Sequence, residues 1–260
     1  MRANYIVLFI IFFIKSYNIL DAYIYEKQKS IYLLHLKILL RKVIIFGTGN
    51  FAEIIYIYLK QSSEFEVVAF TVNQWALKDN NIFCNLPVVP FETVQDLYPC
   101  TKFEMFIAIG YTNMNKKRAK IFDEAKTKGY KLISYVHPTT SISEEFHMGE
   151  NCFIFEKNVI QPFVTLGNNI IIWTGNVISH HTTIKDHCFI VSHSAIAGNV
   201  TINSFCFIGM NATIRNGIKI AQETVIGAGA IILNDTEEKG VYTNKSTIKL
   251  NITSDKLKSL

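Results

Sequence analysis

Residues 184–202 read IKDHCFIVSHSAIAGNVTI, with isoleucine at every sixth position. The same register holds from 142 to 232, where sixteen successive positions carry Ile, Leu or Met. An α-helix repeats about every 3.6 residues and a strand about every two, so neither places a six-residue period on one face. A short strand and turn of six residues would bring each aliphatic side chain to the same place on successive faces of a solenoid. The register positions are Ile142, Met148, Ile154, Ile160, Leu166, Ile172, Ile178, Ile184, Ile190, Ile196, Ile202, Ile208, Ile214, Ile220, Ile226 and Ile232.

The residue four positions after each aliphatic supports the same solenoid, because it is mostly small or of medium size and suits a cramped corner. Gly and Asn near the corners, such as Gly167 and Asn199, tolerate the positive φ of tight turns. Three faces close one coil in about eighteen residues, so the sequence predicts a parallel β-helix of a little over five coils. The small corner positions are Cys152, Val164, Thr182, Cys188, Ser194, Val200, Cys206, Ala212, Thr224 and Ala230.

Residues 41–136 have the pattern of a nucleotide-binding α/β domain. The apolar run at 43–46 predicts a buried strand, GTGNFA follows at 47–52, and residues 53–60 predict a helix. In such a unit the glycines let a phosphate approach backbone N–H groups at the positive end of the helix. The motif alone is a weak signal, but a preceding strand and a following helix are the context that it requires.

The second predicted strand, residues 65–71, argues against a dinucleotide. An NAD site expects an acidic residue near the end of that strand, where it holds the ribose hydroxyls. The chain has Asn73 there instead.

The rest of the domain is short. After a segment and helix that begin at 86–90, a buried strand at 103–110 ends on Gly110, an amphipathic helix spans 113–128, and a last strand is predicted at 130–136. Three or four βα units are too few for a full six-stranded dinucleotide fold.

These features together resemble the hexapeptide-repeat sugar acetyltransferases of the sialic-acid O-acetyltransferase and bacillosamine-pathway type (NeuD/PglD-like). The resemblance covers about residues 41–235. It is carried by GTGNFA, the strand end AIGY at 108–111, the pair His137-Pro138, the hexads and the closing VIGAGA at 225–230. It implies a Rossmann-like acceptor domain followed by a left-handed parallel β-helix that assembles as a homotrimer. It also implies acetyl-CoA as the co-substrate, lying in the groove between neighbouring prisms.

The resemblance assigns two groups of binding residues. Asn73 stands where the family often has an acidic residue, so contacts to ribose or base there depart from the family pattern. The acceptor, commonly a nucleotide-linked amino sugar, would be bound by Gly47, Gly49, Asn50, Phe51, Asn73, Gly110, Asn115 and Arg118. The pantetheine arm of acetyl-CoA would pass close to the backbone at small residues, which tight coils also need: Gly198, Gly209, Gly227, Ala228 and Gly229.

His180 is the candidate general base, in a segment rich in histidine. Imidazole titrates near neutrality, so it can take the proton of an amine or hydroxyl as that group attacks a thioester. Backbone N–H groups near the coil turns would hold the oxyanion. The resembling enzymes follow the base with an acidic residue, where this chain has His181, so Asp186 or Glu156 is the alternative group for orienting it.

Two other interpretations of the histidines stay open. His181, His187 and His193 each follow a register aliphatic by three residues and would point to three different sides of the prism. Across a trimer interface they could bind zinc as in γ-class carbonic anhydrases, although those enzymes have no nucleotide-binding half. Alternatively, the histidines simply occupy solvated or interfacial turns.

Composition excludes some classes of function. The net charge of +5 comes without a basic run or an aromatic platform, which argues against nucleic acid as a partner. The five cysteines form no CxxC pair. Cys188 and Cys206 lie eighteen residues apart, so they predict stacked buried thiols rather than a metal site or disulfide.

Residues 1–40 form a hydrophobic extension. The apolar run at 5–14 is too short to span a bilayer, and no small-x-small cleavage site follows it. The extension is either an interfacial helix, which would bring membrane contact, or an over-extended start or appendage upstream of the domain.

The sequence therefore predicts an extension at 1–40, an acceptor domain at 41–136, a left-handed β-helix at 137–235 and a tail at 236–260. The predicted function is acetyl transfer from acetyl-CoA to an amine or hydroxyl of a nucleotide-activated sugar or sialic acid. The predicted setting is cytoplasmic synthesis of surface glycans, without a metal or nicotinamide. A non-catalytic, nucleotide-binding trimeric scaffold is the alternative, but His180 and the GTGNFA turn argue against it.

Overall fold

The computed structural model describes residues 40–77 and 81–245, together with Lys249. The predicted hydrophobic extension, apart from Leu40, and most of the predicted basic tail lie outside this part of the chain. Among the described residues, no helix is both long enough and apolar enough to cross a membrane.

A small sheet flanked by helices forms the amino-terminal domain. The strand order is β3-β4-β2-β1-β5, with β4, β2, β1 and β5 parallel and β3 antiparallel to β4. The Rossmann-like unit is confirmed, with one short antiparallel edge strand added to it. The strands are β1 (Arg41–Phe46), β2 (Phe65–Val72), β3 (Ile82–Phe83), β4 (Leu86–Pro90) and β5 (Glu104–Ile107). The helices are α1 (Asn50–Gln61), α2 (Val94–Leu97) and α3 (Lys116–Thr127), with a 3-10 turn at Gln74–Ala76.

The strand predicted at 130–136 does not form in this sheet. Leu132 makes only an isolated bridge to Met105. Tyr135–Val136 form β6, which pairs in parallel with Phe153–Ile154 of the β-helix. The ring of Tyr135 packs on Phe153 with centroids 4.7 Å apart, so aromatic packing draws the segment onto the β-helix.

Each of the sixteen register positions ends a two-residue strand, as the six-residue period predicts. The strands stack into three parallel sheets. We name one face for the domain that covers it and the other two for the side chains that point outward from them. The covered face, which lies under the small domain, comprises β6 (Tyr135–Val136), β9 (Phe153–Ile154), β12 (Ile171–Ile172), β15 (Phe189–Ile190), β18 (Phe207–Ile208), β21 (Val225–Ile226) and β23 (Val241–Tyr242). The apolar face comprises β7 (Ser141–Ile142), β10 (Val159–Ile160), β13 (Val177–Ile178), β16 (Ala195–Ile196), β19 (Thr213–Ile214) and β22 (Ile231–Ile232). The threonine face comprises β8 (His147–Met148), β11 (Thr165–Leu166), β14 (Thr183–Ile184), β17 (Thr201–Ile202) and β20 (Lys219–Ile220).

The register aliphatics from Ile154 to Ile232 and the small corner residues together fill the prism interior, while Ile142 in the first coil is exposed. Cys152, Cys188 and Cys206 are buried free thiols in this core, as the eighteen-residue spacing of the last two predicts.

From Met148 to Ile226, the corners turn through a regular left-handed position, the third residue after each aliphatic, whatever its type. Of the Gly and Asn positions expected to have positive φ, Asn199 does (φ 56°) but Gly167 does not. Gly167 is needed for close approach instead, because a Cβ there would lie 2.9 Å from the backbone nitrogen of Asp186 in the next coil. The left-handed corner residues are Asn151, Lys157, Phe163, Asn169, Gly175, His181, His187, His193, Asn199, Phe205, Asn211, Gly217, Glu223 and Gly229.

The small domain sits on the covered face through a shared apolar core. Phe153 and Phe189 pack into one cluster with Ala52 and Ile55 of α1. At the edge of this contact, the hydroxyl of Tyr58 donates to Glu156 Oε2 at 2.8 Å. Burial and the neighbouring carboxylate raise the pKa of Tyr58 to about 12, so the phenol keeps its proton and this bond.

Candidate functional site

The strand order points to a ligand-binding crevice at the carboxyl ends of β1 and β5. The strand order reverses there, since β2 and β4 lie on one side of β1 and β5 lies on the other. Open α/β sheets bind ligands at such a point. The turn at 47–50 follows β1 and Gly110 follows β5, so the structure brings these predicted acceptor-binding residues to one edge of the sheet.

The turn after β1 requires glycine at its first position. Gly47 has a φ of +123°, and a Cβ there would lie 2.9 Å from the carbonyl oxygen of Ala108. At Gly49 the space is open, with nothing within 4 Å of an added Cβ. Helix α1 begins at Asn50 without a side-chain cap, and the first N–H groups of a helix have no intrahelical acceptor. The turn therefore presents backbone donors to the crevice.

His180 lies at the corner between the apolar face and the threonine face. Its side chain is exposed, and its backbone N–H donates to Gln161 Oε1 at 3.0 Å. Its Nδ1 lies 3.1 Å from Nδ1 of His181, a distance at which one ring donates to the other. In the described part of the chain, His180 Nε2 has no hydrogen-bond partner, so it remains available to a substrate.

Gly198 lies one coil above His180 and makes room for its ring. A Cβ at Gly198 would lie 2.6 Å from Cε1 and 2.7 Å from Nε2 of His180. The Gly198 carbonyl accepts from the Gly217 N–H of the next coil at 3.0 Å, which holds the residue in place. Among the described residues, the Gly198 N–H has no acceptor, so a free backbone donor lies beside the imidazole.

The structure brings His180 and His181 together but leaves the acidic candidates elsewhere. Asp186 lies at the next corner, where its Oδ1 accepts from the Asn168 backbone N–H at 2.6 Å. Glu156 accepts from Tyr58 at the domain junction. His181 is therefore the group in contact with His180 Nδ1.

The other two corner histidines lie apart from this pair. His187 is half-buried between the domains, where its Nδ1 lies 2.9 Å from Asn169 Nδ2. Burial lowers the pKa of His187, which keeps the ring neutral and lets Nδ1 accept from the amide. His193 is exposed at the corner between the covered and apolar faces.

Asn115, the N-cap of α3, and Arg118 in its first turn were predicted to contact the acceptor, but both are fully buried where the helix meets the β-helix. The Asn115 amide donates to the Cys206 carbonyl at 3.3 Å. The Arg118 guanidinium donates to acceptors on both domains, so neither side chain offers a polar group to solvent. We assign both residues to the domain junction rather than to the acceptor. The oxygens that accept from Arg118 are Asn169 Oδ1, Asn115 Oδ1 and the carbonyls of Ile109, Gly110, Asn169, His187 and Cys188.

The small residues predicted to line acetyl-CoA lie at two different corners. Gly198 is at the His180 corner. Gly209, Gly227, Ala228 and Gly229 are at the corner between the covered and apolar faces, where a Cβ at Gly209 would lie 2.6 Å from the Ala228 nitrogen. One chain alone does not bring the two groups together.

The sequence did not predict that His180 contacts Gly198 and Gln161. The pairing of Gly198 with His180 could be found by adding one eighteen-residue coil to position 180. The Gln161 contact has no comparable signal, because it depends on the rotamer of an exposed side chain in the coil below.

Comparison with known proteins bears on the fold. No family model and no curated protein matches the chain. Among solved structures, the acetyltransferase domain of PglB from Neisseria gonorrhoeae, in complex with acetyl coenzyme A, superposes with a TM-score of 0.70 at 20% identity, covering 79% of this chain and 97% of that one. The chain has the two-domain fold of hexapeptide-repeat sugar acetyltransferases. The solenoid predicted from the hexads is confirmed, and so is the left-handed parallel β-helix that the family resemblance implied.

Two further structures share this acetyltransferase fold. PerB from Caulobacter crescentus, in complex with CoA and GDP-perosamine, has a TM-score of 0.69 at 25% identity and covers 78% of this chain and 94% of its own. WeeI from Acinetobacter baumannii has a TM-score of 0.65 at 17% identity and covers 77% of this chain and 95% of its own. The described domains thus correspond to nearly the full length of each neighbour.

Proposed function

We propose that the protein transfers an acetyl group from acetyl-CoA to an amine or hydroxyl of a nucleotide-linked sugar or sialic acid, with His180 as general base. The observation that carries the proposal is the arrangement at one corner of the β-helix. There Nε2 of His180 lies close to Gly198, and within the described ranges neither this nitrogen nor the Gly198 N–H has a hydrogen-bond partner, while Nδ1 of His180 contacts His181.

The chemistry needs one proton acceptor and one oxyanion donor. As the acceptor nitrogen or oxygen attacks the thioester carbon, its proton passes to His180 Nε2 and the carbonyl oxygen becomes an oxyanion. The Gly198 N–H is the donor placed to stabilise that charge. Collapse of the intermediate breaks the C–S bond, and the proton on His180 passes to the departing CoA sulfur.

His181 orients the base in place of an acid. For His180 Nε2 to accept a proton it must start unprotonated, so Nδ1 carries the ring proton and donates to Nδ1 of His181 across 3.1 Å. This bond fixes the tautomer of the base, which is the role that a neighbouring group plays in general-base catalysis by histidine. Asp186, the other predicted catalytic residue, has no place in this arrangement because its carboxylate is bonded to Asn168.

The crevice after β1 is the site for the nucleotide of the acceptor. Backbone donors of Gly49, Asn50 and Phe51 face a space that suits a phosphate at the start of α1. PerB, which has the same fold, binds GDP-perosamine, a nucleotide-linked sugar. Such a charged substrate and acetyl-CoA fit a cytoplasmic enzyme.

The site is completed by a neighbouring subunit. The small domain lies over the covered face, and the His180 corner is the one corner that does not border this face. The acceptor crevice of the same chain is therefore remote from His180. The apolar face between the His180 corner and the His193 corner exposes Val159 (41%), Val177 (41%) and Ile231 (66%), so it suits burial around the axis of a homotrimer.

Packing about that axis would join the two groups of small residues. The His180 corner of one subunit, with Gly198, would meet the covered-to-apolar corner of the next, with Gly209 and Ala228. Acetyl-CoA would lie in the groove between them, and the crevice of the second subunit would deliver the acceptor.

Thiol release tests the proposed activity. The full chain, treated with a chelator, is mixed with acetyl-CoA and either UDP-, dTDP- or GDP-linked amino sugars or free sialic acid. We expect acceptor-dependent thiol release and a product that has gained one acetyl group. Absence of transfer to every acceptor would favour the non-catalytic scaffold, and activity that returns only with zinc would favour the carbonic-anhydrase-like alternative.

A further inference from the structure

An exposed tryptophan follows β2, and the proposed chemistry leaves it unused. Trp75 lies in the turn Gln74–Ala76 and is 78% exposed, although tryptophan is usually well buried. The turn itself is anchored, because Ala76 and Leu77 pack on the apolar core and the Gln74 N–H donates to Glu92 Oε2 at 2.9 Å. The backbone therefore holds the indole outward in a defined place.

Trp75 and Lys117 reach toward each other across the end of β1. The Lys117 Nζ lies 5.8 Å from the centroid of the indole. Trp75 follows β2 and Lys117 belongs to α3, which follows β5, and these two strands flank β1 on opposite sides. Neighbouring strands lie about 4.8 Å apart, so β2 and β5 are separated by two such spacings. The two long side chains therefore bridge the end of β1. The aromatic ring and the ammonium group thus lie at the same end of the sheet as the turn at 47–50.

We infer that Trp75 is the stacking platform for the base of the acceptor nucleotide, with Lys117 beside its phosphates. The inference rests on the proposed function, in which the turn at 47–50 receives the diphosphate. An exposed indole stacks on the face of any base, and a nearby cation attracts the phosphates. Asn73 fits this arrangement, since β2 itself ends without an acidic side chain, and the nearby Glu92 carboxylate is taken up by Asn73 Nδ2 at 3.3 Å and by the Gln74 N–H at 2.9 Å. We therefore assign nucleotide recognition to the base and the phosphates.

Calorimetric titration of GDP, UDP, dTDP and inorganic pyrophosphate into the full chain tests the stacking. Trp75→Ala should weaken binding of all three nucleotides by about 5- to 150-fold, the range for loss of one base–aromatic stack, and leave pyrophosphate unchanged. Trp75→Phe should retain most of the affinity. Leu97→Ala, which trims another exposed apolar side chain (67%), is the matched control and should bind as the wild type does. Equal nucleotide affinity in Trp75→Ala and wild type would overturn the inference.

Steady-state kinetics separates this inference from the proposed function. Trp75→Ala should raise the KM for the nucleotide sugar and keep kcat at saturation, since the ring binds substrate far from the reacting atoms. If the wild type transfers acetyl but the variant keeps the same KM, the stacking role fails and the acetyltransferase assignment stands. If nucleotides bind in a Trp75-dependent manner but no acceptor is acetylated, the proposed function fails and the stacking role stands.

Discussion

The position of the His180 ring depends on the absence of a side chain at Gly198. An added Cβ would come within 2.6–2.7 Å of Cε1 and Nε2, closer than carbon atoms approach in folded proteins. The ring would have to turn away from Gly198, which would move Nε2, the nitrogen that takes the proton, out of its position. Gly198 thus contributes both space for the base and the N–H donor beside it.

Gly198→Ala should therefore lower kcat by about 10- to 100-fold, because displacing a catalytic group by about 1 Å costs up to that much. The KM for the nucleotide sugar should stay close to the wild-type value, since its crevice lies elsewhere. Ser179→Ala, a change of similar size next to the base, is the control and should keep most of the activity. A Gly198→Ala enzyme with wild-type kcat would show that the ring does not need this space.

Single residues differ in how far the sequence predicts them. His180 could be placed at a corner because the hexad register fixes every turn, and the small residue above it follows from the eighteen-residue coil. The role of Arg118 could not be predicted, because a charged side chain on an amphipathic helix is ordinarily solvated. Its burial depends on carbonyls at 109–110 and 187–188, which only the packed domains bring together.

At the scale of elements, α3 is joined to the β-helix through Arg118. The guanidinium is fully buried, and burial lowers its pKa, but it stays protonated at neutral pH. Its donors meet carbonyl and amide oxygens rather than a carboxylate. Such a charge is tolerated only because its hydrogen bonds are satisfied.

Arg118→Met should destabilise the protein by about 3–5 kcal/mol, the cost of breaking a buried network and leaving its acceptors unpaired. Arg118→Lys should recover only part of the loss, since an ammonium lacks the planar fork of donors. Urea unfolding measures the effect. Lys120→Met, an exposed change on the same helix, should stay within about 0.5 kcal/mol of wild type. If Arg118→Met were as stable as that control, α3 would not depend on the buried charge.

The ion pairs of Glu104 on β5, with Arg41 on β1 and with Lys131, make the free energy of unfolding depend on pH in the acid range. Glu104 accepts from Arg41 at 2.6 and 3.0 Å and lies 3.3 Å from Lys131 Nζ. Burial alone would raise the pKa of Glu104, but these bonds and charges hold it below the usual value. Its contribution is thus complete above the unfolded pKa of about 4.3 and is lost as pH falls through the lower folded pKa.

Glu104→Gln should lower stability at pH 7 by no more than about 1 kcal/mol, because the pair is partly solvated. The variant should also lose less stability than wild type between about pH 5 and pH 3. Urea midpoints across this range measure the difference, with the exposed Glu64→Gln as control. Parallel curves for wild type and Glu104→Gln would contradict the assignment.

Elements of the β-helix were predictable because their period belongs to no other structure, and all sixteen register positions end strands. The strand predicted at 130–136 failed because an apolar run does not reveal its partner. Tyr135 and Val136 pair with Phe153 and Ile154 on the β-helix rather than continuing the small sheet. The separation of Asp186 from His180 also depends on the corner that each residue occupies.

At the scale of the whole molecule, each proposed site is shared by two subunits. His180 and the turn at 47–50 of one chain serve different sites. Gly49→Glu should fold, since an added Cβ meets open space, and its carboxylate should repel the nucleotide phosphates. His180→Ala should remove the general base but leave the nucleotide-binding turn intact.

Co-refolding equal amounts of His180→Ala and Gly49→Glu should therefore restore about a quarter of the wild-type activity, because in randomly mixed trimers about one interface in four pairs two intact components. Each variant alone should be inactive. Absence of any recovery in trimers that have demonstrably mixed would place both components in one chain.

The most direct test of His180 as general base compares kcat for His180→Ala with kcat for His147→Ala, an exposed histidine on the threonine face, away from the proposed subunit groove. We predict that His180→Ala lowers kcat by at least about a hundredfold, as expected for loss of a general base, with the KM for acetyl-CoA little changed, while His147→Ala stays within a few-fold of wild type. A His180→Ala enzyme that turns over as fast as His147→Ala would contradict the account.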